Sequence, residues 1–169
     1  MQYLGVLVRE VFRELRDHAV GFNSLLTDFL AAKEAFSVHK NGSAQGSVSS
    51  ATWTQITFGT EVYDTGALFA ANAWTPTAGL VSLKGGVTIT GTIAASDLCG
   101  VAVYKNGALY KSAYRGARFN GGESLIAISD RANGTDIYTL WGYVTTTAGD
   151  GTFSGVADET WFMGEWLSS

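Results

Sequence analysis

The segment Val101-Ala-Val-Tyr-Lys-Asn-Gly-Ala-Leu-Tyr110 carries the strongest local folding signal in this chain. Its central Asn106-Gly107 dipeptide separates two runs of mostly apolar and aromatic residues. Asn-Gly favours the type I′ turn, whose twist matches that of two antiparallel strands. We therefore predict a β-hairpin centred on this dipeptide.

The same strand-like pattern extends outward from the hairpin, from residue 36 to the end of the chain. Val87 and Ile89 alternate with Thr88 and Thr90, as expected for a strand with one solvated face. Further runs of this kind are separated by segments rich in Gly, Ser, Thr and Asn, without a helix-period segment between them. About eight to ten short strands predict a mainly β domain, an antiparallel jelly-roll sandwich, over residues 36–169.

The first 35 residues follow a helical pattern instead. Apolar residues and one histidine recur at alternating steps of four and three, at Leu4, Val8, Val11, Leu15, His18, Phe22, Leu25 and Phe29. This spacing is the heptad seam of a coiled coil. We therefore predict an N-terminal α-helical trimerising segment over residues 1–35, with these side chains in the trimer interface. Gly21 leaves open whether the helix is continuous, because glycine weakens a helix interior.

The composition narrows the classes of partner. Net charge is −4, and no basic cluster stands out, which argues against nucleic-acid binding. No apolar run approaches the roughly 20 residues that span a bilayer, so we expect no membrane insertion. The N-terminus lacks the unbroken apolar core of a secretory signal, so we expect synthesis in a cytoplasm without export.

The charged fraction is only 15 %, against about 25 % in typical soluble domains. Segments 137–144 and 160–167 are apolar at both alternating sets of positions, although a sandwich strand normally has one solvated face. Contact between subunits would explain the second apolar face. We therefore place Tyr138, Leu140 and Trp166 in a trimer interface.

Several stretches of the β region together form a recognisable series. They are Thr60-Glu-Val-Tyr-Asp-Thr-Gly66, Phe69, Trp74-Thr-Pro-Thr-Ala-Gly79-Leu-Val-Ser-Leu83, Val103-Tyr-Lys-Asn-Gly107, Phe153-Ser-Gly155 and Thr160-Trp-Phe-Met-Gly-Glu-Trp-Leu167. In order and spacing they resemble the globular head of the first complement component, one of the tumour necrosis factor-like jelly rolls. The resemblance covers about residues 36–167 and departs from the family at Trp74 and Leu80. It implies a ten-stranded sandwich that assembles as a compact homotrimer.

Binding residues are predicted in the segment 114–122. Tyr114, Arg115, Arg118 and Phe119 combine aromatic rings with arginine, the composition favoured at recognition hot spots. An exposed aromatic ring of this kind also suits stacking on a sugar. The same residues would equally fit a subunit interface.

Metal and catalytic signals are weak. Asp130, Asn133 and Asp136 offer the oxygen ligands of a calcium loop, but they lack its ordered spacing, and a hairpin turn explains them as well. We expect no other cofactor. No nucleophile elbow, phosphate loop or zinc-binding helix motif occurs. Carbohydrate hydrolysis stays open because a carboxylate pair such as Asp64 and Asp136 could converge in space, although turn capping or a solvated loop explains each of them.

These observations favour a non-enzymatic, trimeric structural protein of a bacteriophage virion, of the fibre, spike or decoration type. Residues 1–35 would anchor it to other virion proteins, and the head would face outward and bind a host-surface glycan or protein during attachment. A free bacterial lectin-like or adhesion module is the alternative, and a carbohydrate hydrolase is the third.

Overall fold

The structure, a computed structural model, describes residues 13–14, 16, 18–21, 33–91, 93–94, 97–117, 121–146 and 150–169. The chain divides into two units, Met1–Ala32 and Lys33–Ser169. In the first unit the described residues are helical and exposed, His18 included. The other seam positions, Leu4, Val8, Val11, Leu15, Phe22, Leu25 and Phe29, lie outside the described residues, so the trimerising helix and its role as a separate domain stay predictions.

The second unit is mainly β. Its strands are β1 (Ala35–His39), β2 (Gln45–Val48), β3 (Thr54–Gln55), β4 (Thr60–Thr65), β5 (Phe69–Ala70), β6 (Ala73–Trp74), β7 (Gly79–Thr90), β8 (Leu98–Lys105), β9 (Ala108–Gly116), β10 (Gly121–Ala132), β11 (Tyr138–Val144), β12 (Gly151–Phe153) and β13 (Thr160–Ser168). The number of strands over the described residues exceeds the predicted eight to ten. The difference comes from two- to four-residue strands, which are too short to show an alternating pattern.

The strands form two sheets. Within each sheet, all the paired strands among the described residues are antiparallel. Sheet A has the order β2-β12-β7-β13-β1-β4, and β10 pairs with the other side of β7. Sheet B has the order β5-β6-β11-β8-β9, and β3 also pairs with β11. The predicted antiparallel, mainly β architecture is therefore confirmed.

The predicted hairpin joins β8 to β9. Asn106 and Gly107 have φ angles of 54° and 78°, the left-handed values that a type I′ turn requires at both central positions. The turn is also tied to the start of β11, because the Asn106 backbone N–H donates to Ile137 O at 2.9 Å and the Ile137 N–H donates to Asn106 Oδ1 at 2.8 Å. One end of sheet B is fixed in this way.

The alternation predicted around residue 88 is confirmed in β7. Val87 and Ile89 are fully buried, whereas Thr88 and Thr90 are partly exposed. Strand β7 lies between β10 and β13 in the interior of sheet A. Its Gly85 faces Leu140 of sheet B, since an added Cβ would lie 2.6 Å from Leu140 Cδ1.

The hydrophobic core fills the space between the sheets. Phe36 of sheet A lies 5.0 Å from Trp74 of sheet B and 5.0 Å from Phe162, measured between ring centroids. Gly164 allows this contact, because an added Cβ would lie 2.5 Å from Phe36 Cε1. Burying a side chain such as Phe36 stabilises the fold by about 1.5–3 kcal/mol. Among the described residues, no helix has the length and apolar character needed to cross a membrane.

Candidate functional site

The alternation of side chains along β11 decides which of its two apolar faces meets the core. Tyr138, Leu140 and Val144 are fully buried, whereas Trp141 and Tyr143 are partly exposed on the opposite, outer face. The prediction that Tyr138 and Leu140 lie in a trimer interface is therefore wrong, because both side chains are enclosed in the core of their own chain. Periodicity alone could not distinguish the two faces, since both are apolar.

Trp166 also has contacts within its own chain. Its partly exposed ring packs against the core, and its Nε1 donates a hydrogen bond to Ala78 O at 3.2 Å. The neighbouring Glu165 forms an ion pair with Lys84, 3.4 Å apart, with each side chain about half exposed. Exposed pairs of this kind contribute less than about 1 kcal/mol. A role for Trp166 between subunits stays a prediction.

The carboxylates of Asp130 and Asp136 converge on Lys105. The Lys105 Nζ lies 2.7 Å from Asp130 Oδ2 and 3.0 Å from Asp136 Oδ2, and both carboxylates are largely buried. The ammonium group thus occupies the position that a bound cation would need, which contradicts the calcium interpretation of Asp130, Asn133 and Asp136. Asn133 instead closes a local turn, since its Oδ1 accepts a hydrogen bond from the Thr135 N–H at 2.8 Å.

Asp130 accepts two further hydrogen bonds. The hydroxyl of Tyr138 donates to Oδ2 at 2.7 Å, and that of Tyr110 donates to Oδ1 at 2.9 Å. Burial by itself would raise the pKa of Asp130, but the hydrogen bonds from Lys105, Tyr138 and Tyr110 outweigh it and hold the pKa below its ordinary value. The carboxylate is therefore ionised at neutral pH.

Asp136 is stabilised in the same charged form. Burial tends to raise its pKa, and hydrogen bonds from the side chains of Asn106 and Lys105 and from the backbone of Asn133 lower it further than burial raises it. The hydrogen bond to Asp130 raises the pKa of Lys105. We refer to Lys105, Asp130 and Asp136 as the ionic network. All its members are charged at neutral pH, which suits a structural role and not a general acid.

Asp64, the other carboxylate considered for hydrolysis, also has a local role. Its Oδ2 accepts a hydrogen bond from the Phe69 N–H at 2.8 Å and so closes the turn between β4 and β5. Within the described part of the chain, no group of three His, Cys, Asp or Glu side chains could hold a metal ion.

Two of the four predicted binding residues, Tyr114 and Arg115, point to opposite faces of β9. Tyr114 is 52 % exposed and is the cross-strand partner of Gly100. Arg115 follows it on β9 and, by strand alternation, points to the opposite side, where it lines a shallow cavity with Gly121 and Glu123. Arg118 and Phe119 lie outside the described residues.

Five aromatic side chains form a continuous patch on the outer face of sheet B, here named the aromatic platform: Trp53, Tyr104, Tyr114, Trp141 and Tyr143. The centroid of Trp53 lies 5.2 Å from that of Tyr143, 5.5 Å from that of Tyr114 and 6.4 Å from that of Tyr104. Tyr104 stacks on Trp141 at 4.3 Å with 19° between the ring planes. These separations are close to those of favourable aromatic pairs, so the rings support one another.

The local sequence explains why these rings lie over the sheet. Gly100 provides the space, because an added Cβ would be 3.0 Å from Tyr114 Cδ1 and 3.2 Å from Trp53 Cη2. Trp53 reaches this place from the segment before β3, which the Ala51 N–H anchors by a 2.8 Å hydrogen bond to Val144 O. Trp53 thereby contacts Tyr104, Tyr114 and Tyr143 at once.

A second apolar patch lies on the outer face of sheet A. Trp161, Gly86 and Leu125 are direct cross-strand neighbours on β13, β7 and β10. An added Cβ at Gly86 would lie 2.7 Å from Trp161 Nε1 and 2.9 Å from Leu125 Cδ2, so the two side chains meet above the glycine. Leu125 is 54 % exposed. We call these three residues the sheet A patch.

Sequence reasoning missed most of the platform, and it missed Lys105 of the ionic network, although it grouped Asp130 with Asp136 as candidate metal ligands. Thr139 shares the alternation of Trp141 and Tyr143, but one threonine in an otherwise apolar strand does not identify that set as the outer one. No local signal existed for Lys105, because its carboxylate partners follow it by 25 and 31 positions and meet it only through the pairing of distant strands.

Comparisons with known proteins find similarity at the level of fold. No family model and no curated protein matches the chain. The crystal structure of murine APRIL at pH 5.0 aligns with a TM-score of 0.60 and 12 % identity, over 80 % of this chain and 100 % of that one. Eiger TNF from S. frugiperda aligns with a TM-score of 0.59 and 11 % identity, over 81 % and 94 %. The globular domain of zebrafish complement 1qA protein aligns with a TM-score of 0.55 and 14 % identity, over 80 % and 98 %.

The resemblance predicted from the series of motifs is therefore confirmed for the fold. At identities of 11–14 % these alignments show the fold alone. The head of this chain has the curled antiparallel sheets of the tumour necrosis factor-like and complement 1q-like jelly rolls.

Proposed function

We propose that this chain is the subunit of a homotrimeric, non-enzymatic structural protein of a bacteriophage virion. In this proposal residues 1–35 trimerise and attach the protein to other virion proteins, and the jelly-roll head faces outward. The protein would serve as a fibre, spike or decoration protein whose head contacts the host surface. Its place of action would be the virion.

The sheet A patch is the observation that best supports a trimer. Leu125 places an apolar side chain in solvent beside Trp161, on a sheet whose opposite face already forms the core. We take this exposed apolar pair as part of the contact between subunits, because contiguous apolar surface is a feature of protein interaction sites. The jelly-roll fold of the TNF-like type also fits a homotrimer. A second copy of the chain over this face would account for both observations.

The virion context is supported by the combination of a predicted coiled-coil anchor with a head of low charge. Density-gradient fractionation of phage particles, with an antibody against the head, tests it. We expect the chain to co-sediment with capsid or tail proteins. Recovery only as free protein would contradict the virion context.

A matched pair of leucine variants tests the assembly. Leu125 on sheet A and Leu109 on sheet B are 54 % and 49 % exposed. By light scattering after size exclusion, the wild type and Leu109→Glu should have three times the 17.9 kDa chain mass. On dilution, Leu125→Glu should dissociate at a protein concentration at least about tenfold higher than the wild type, with an unchanged circular-dichroism spectrum, because a buried unpaired carboxylate opposes association of the heads. A monomeric wild type, or a Leu125→Glu trimer that resists dilution as well as Leu109→Glu does, would refute the assembly.

The aromatic platform favours a second candidate function, that of a free glycan-binding module. This module would act in a bacterial cell without attachment to a particle. The same particle fractionation separates the two functions.

A further inference from the structure

We propose that the aromatic platform binds neutral pyranose rings of a glycan, with the apolar C–H face of a sugar ring lying on the aromatic side chains. The inference rests on the proposed function of the head as an outward-facing binding domain. It assigns that role to a defined surface and to one class of ligand.

The chemistry of the platform matches both the apolar face of a sugar ring and the hydroxyl groups at its rim. Its rings supply apolar surface, and Tyr114, at 52 % exposure, presents the most accessible part. Tyrosine hydroxyls both donate and accept hydrogen bonds, as sugar hydroxyls do. A ligand that is apolar on one face and rich in hydroxyls at its rim can therefore use the rings and the phenol groups together.

The absence of charge selects neutral ligands. Three successive rows of cross-strand neighbours run across the outer face of β11, β8 and β9. They are Tyr143, Gly100 and Tyr114; Trp141, Ala102 and Ser112; and Thr139, Tyr104 and Leu109. None of these nine residues is charged. The face thus lacks the cations that would compensate for an acidic sugar or a phosphate.

The platform is also organised before any ligand arrives. Trp53 contacts three neighbouring rings, and Trp141 is held by Tyr104 on one side and by a 2.8 Å hydrogen bond from its Nε1 to Thr139 Oγ1. Side chains that are already ordered lose little conformational entropy on binding. A surface that is ordered in this way favours a rigid ligand such as a sugar ring.

A second copy of the chain is the competing occupant of this face, but the sheet A patch accounts better for self-association. In the sheet A patch, the side chains of Leu125 and Trp161 meet over Gly86, and none of the three residues has a phenol hydroxyl that could bind a sugar. The platform instead consists of rings with polar groups, three of them tyrosines. The experiment must therefore distinguish glycan binding by the platform from coverage of the platform by a second copy of the chain.

The test uses the full-length protein on an array of neutral oligosaccharides of glucose, galactose, mannose and N-acetylglucosamine, with sialylated and uronic-acid glycans beside them. We expect the wild type to bind neutral glycans selectively. Titration with the strongest neutral ligand, followed by tryptophan fluorescence, then gives affinities for the variants. Tyr114→Ala and Trp53→Ala should each weaken binding by at least about tenfold, because truncating a central aromatic contact removes a hot spot.

Tyr63→Ala is the matched control, because Tyr63 is 46 % exposed but lies on β4 of sheet A. It should bind within about twofold of the wild type, a difference that is small on the affinity scale. Circular dichroism verifies the fold of each variant, and Tyr114→Ala stays informative if Trp53→Ala does not fold.

Three outcomes would overturn the inference: a wild type that binds no neutral glycan, a preference for acidic glycans, or equal affinity in Tyr114→Ala and the wild type. Loss of the trimer in Tyr114→Ala would assign the platform to a second copy and would also overturn it. A trimer without glycan binding contradicts only this inference. A monomer that binds neutral glycans contradicts only the proposed assembly.

Discussion

Replacing Lys105 by methionine should destabilise the head strongly. The substitution keeps an unbranched apolar stem as far as Cε but removes the ammonium group from between Asp130 and Asp136, whose side chains are only 13 % and 4 % exposed. Removing one partner of a buried ion pair costs about 3–5 kcal/mol, because the remaining charge is left without compensation. In a domain of this size that loss lowers the melting temperature by about 6–20 °C.

The cost of Lys105→Met should depend on pH with a defined sign. The pKa values of Asp130 and Asp136 are lowered in the folded wild type, so their contribution to stability is complete above the unfolded carboxyl pKa, about 3.9, and is lost as the pH falls through the folded values. Burial raises the pKa of both carboxyl groups, and in the variant no hydrogen bond from Lys105 opposes this effect. The two groups therefore bind protons at higher pH in the variant than in the wild type. The difference in unfolding free energy between wild type and variant should therefore be largest near neutral pH and should shrink on acidification.

Equilibrium unfolding in urea at one fixed protein concentration, followed by tryptophan fluorescence between about pH 3 and pH 7.5, measures this difference. Lys111→Met is the control, because Lys111 is exposed on the neighbouring strand β9 and should change stability by less than about 0.5 kcal/mol. The reasoning is refuted if Lys105→Met costs no more than Lys111→Met at neutral pH, or if its cost grows on acidification.

Two other predictions concern the core. Thr160 is fully buried and its hydroxyl has no hydrogen-bond partner among the described residues, so Thr160→Val should stabilise the head by about 1 kcal/mol in urea unfolding; a loss of stability would indicate a partner for that hydroxyl. Cys99 is buried, and burial together with nearby Asp97 raises its thiol pKa to about 11. A disulfide reagent at pH 8 should therefore label it only after unfolding, and rapid labelling of the native protein would contradict this.

The parts of the fold that local chemistry dictates were predictable from the sequence. The turn requires a left-handed backbone at two successive positions, and Asn106 and Gly107 adopt it readily. The alternation in β7 follows from one apolar and one polar set of side chains. Cys99 lies in the apolar run Leu98-Cys-Gly-Val101, and its side chain is buried. Each of these features depends on neighbours within a few positions of the chain.

The orientation of strands with two apolar faces was not predictable in the same way. In β13, Glu165 shares the alternation of Trp161 and therefore marks that set as the outer one, but a single charge at the end of a strand is a weak guide. In β11, the inward set is identified by Gly142, which leaves room for the ring of Phe153 from the opposite sheet. That requirement comes from the packing of two sheets and leaves no periodic pattern in either strand.

The ionic network has a consequence for how the head responds to its medium. A metal ion that neutralised Asp130 and Asp136 would exchange with solvent, and a chelator or simple dilution would remove it. The ammonium of Lys105 is covalently attached to β8, so its effective concentration at the two carboxylates is fixed by the chain. The end of the jelly roll where the β8–β9 hairpin meets the β10–β11 turn therefore keeps its charge balance in water poor in divalent ions, in hard water and in the presence of EDTA.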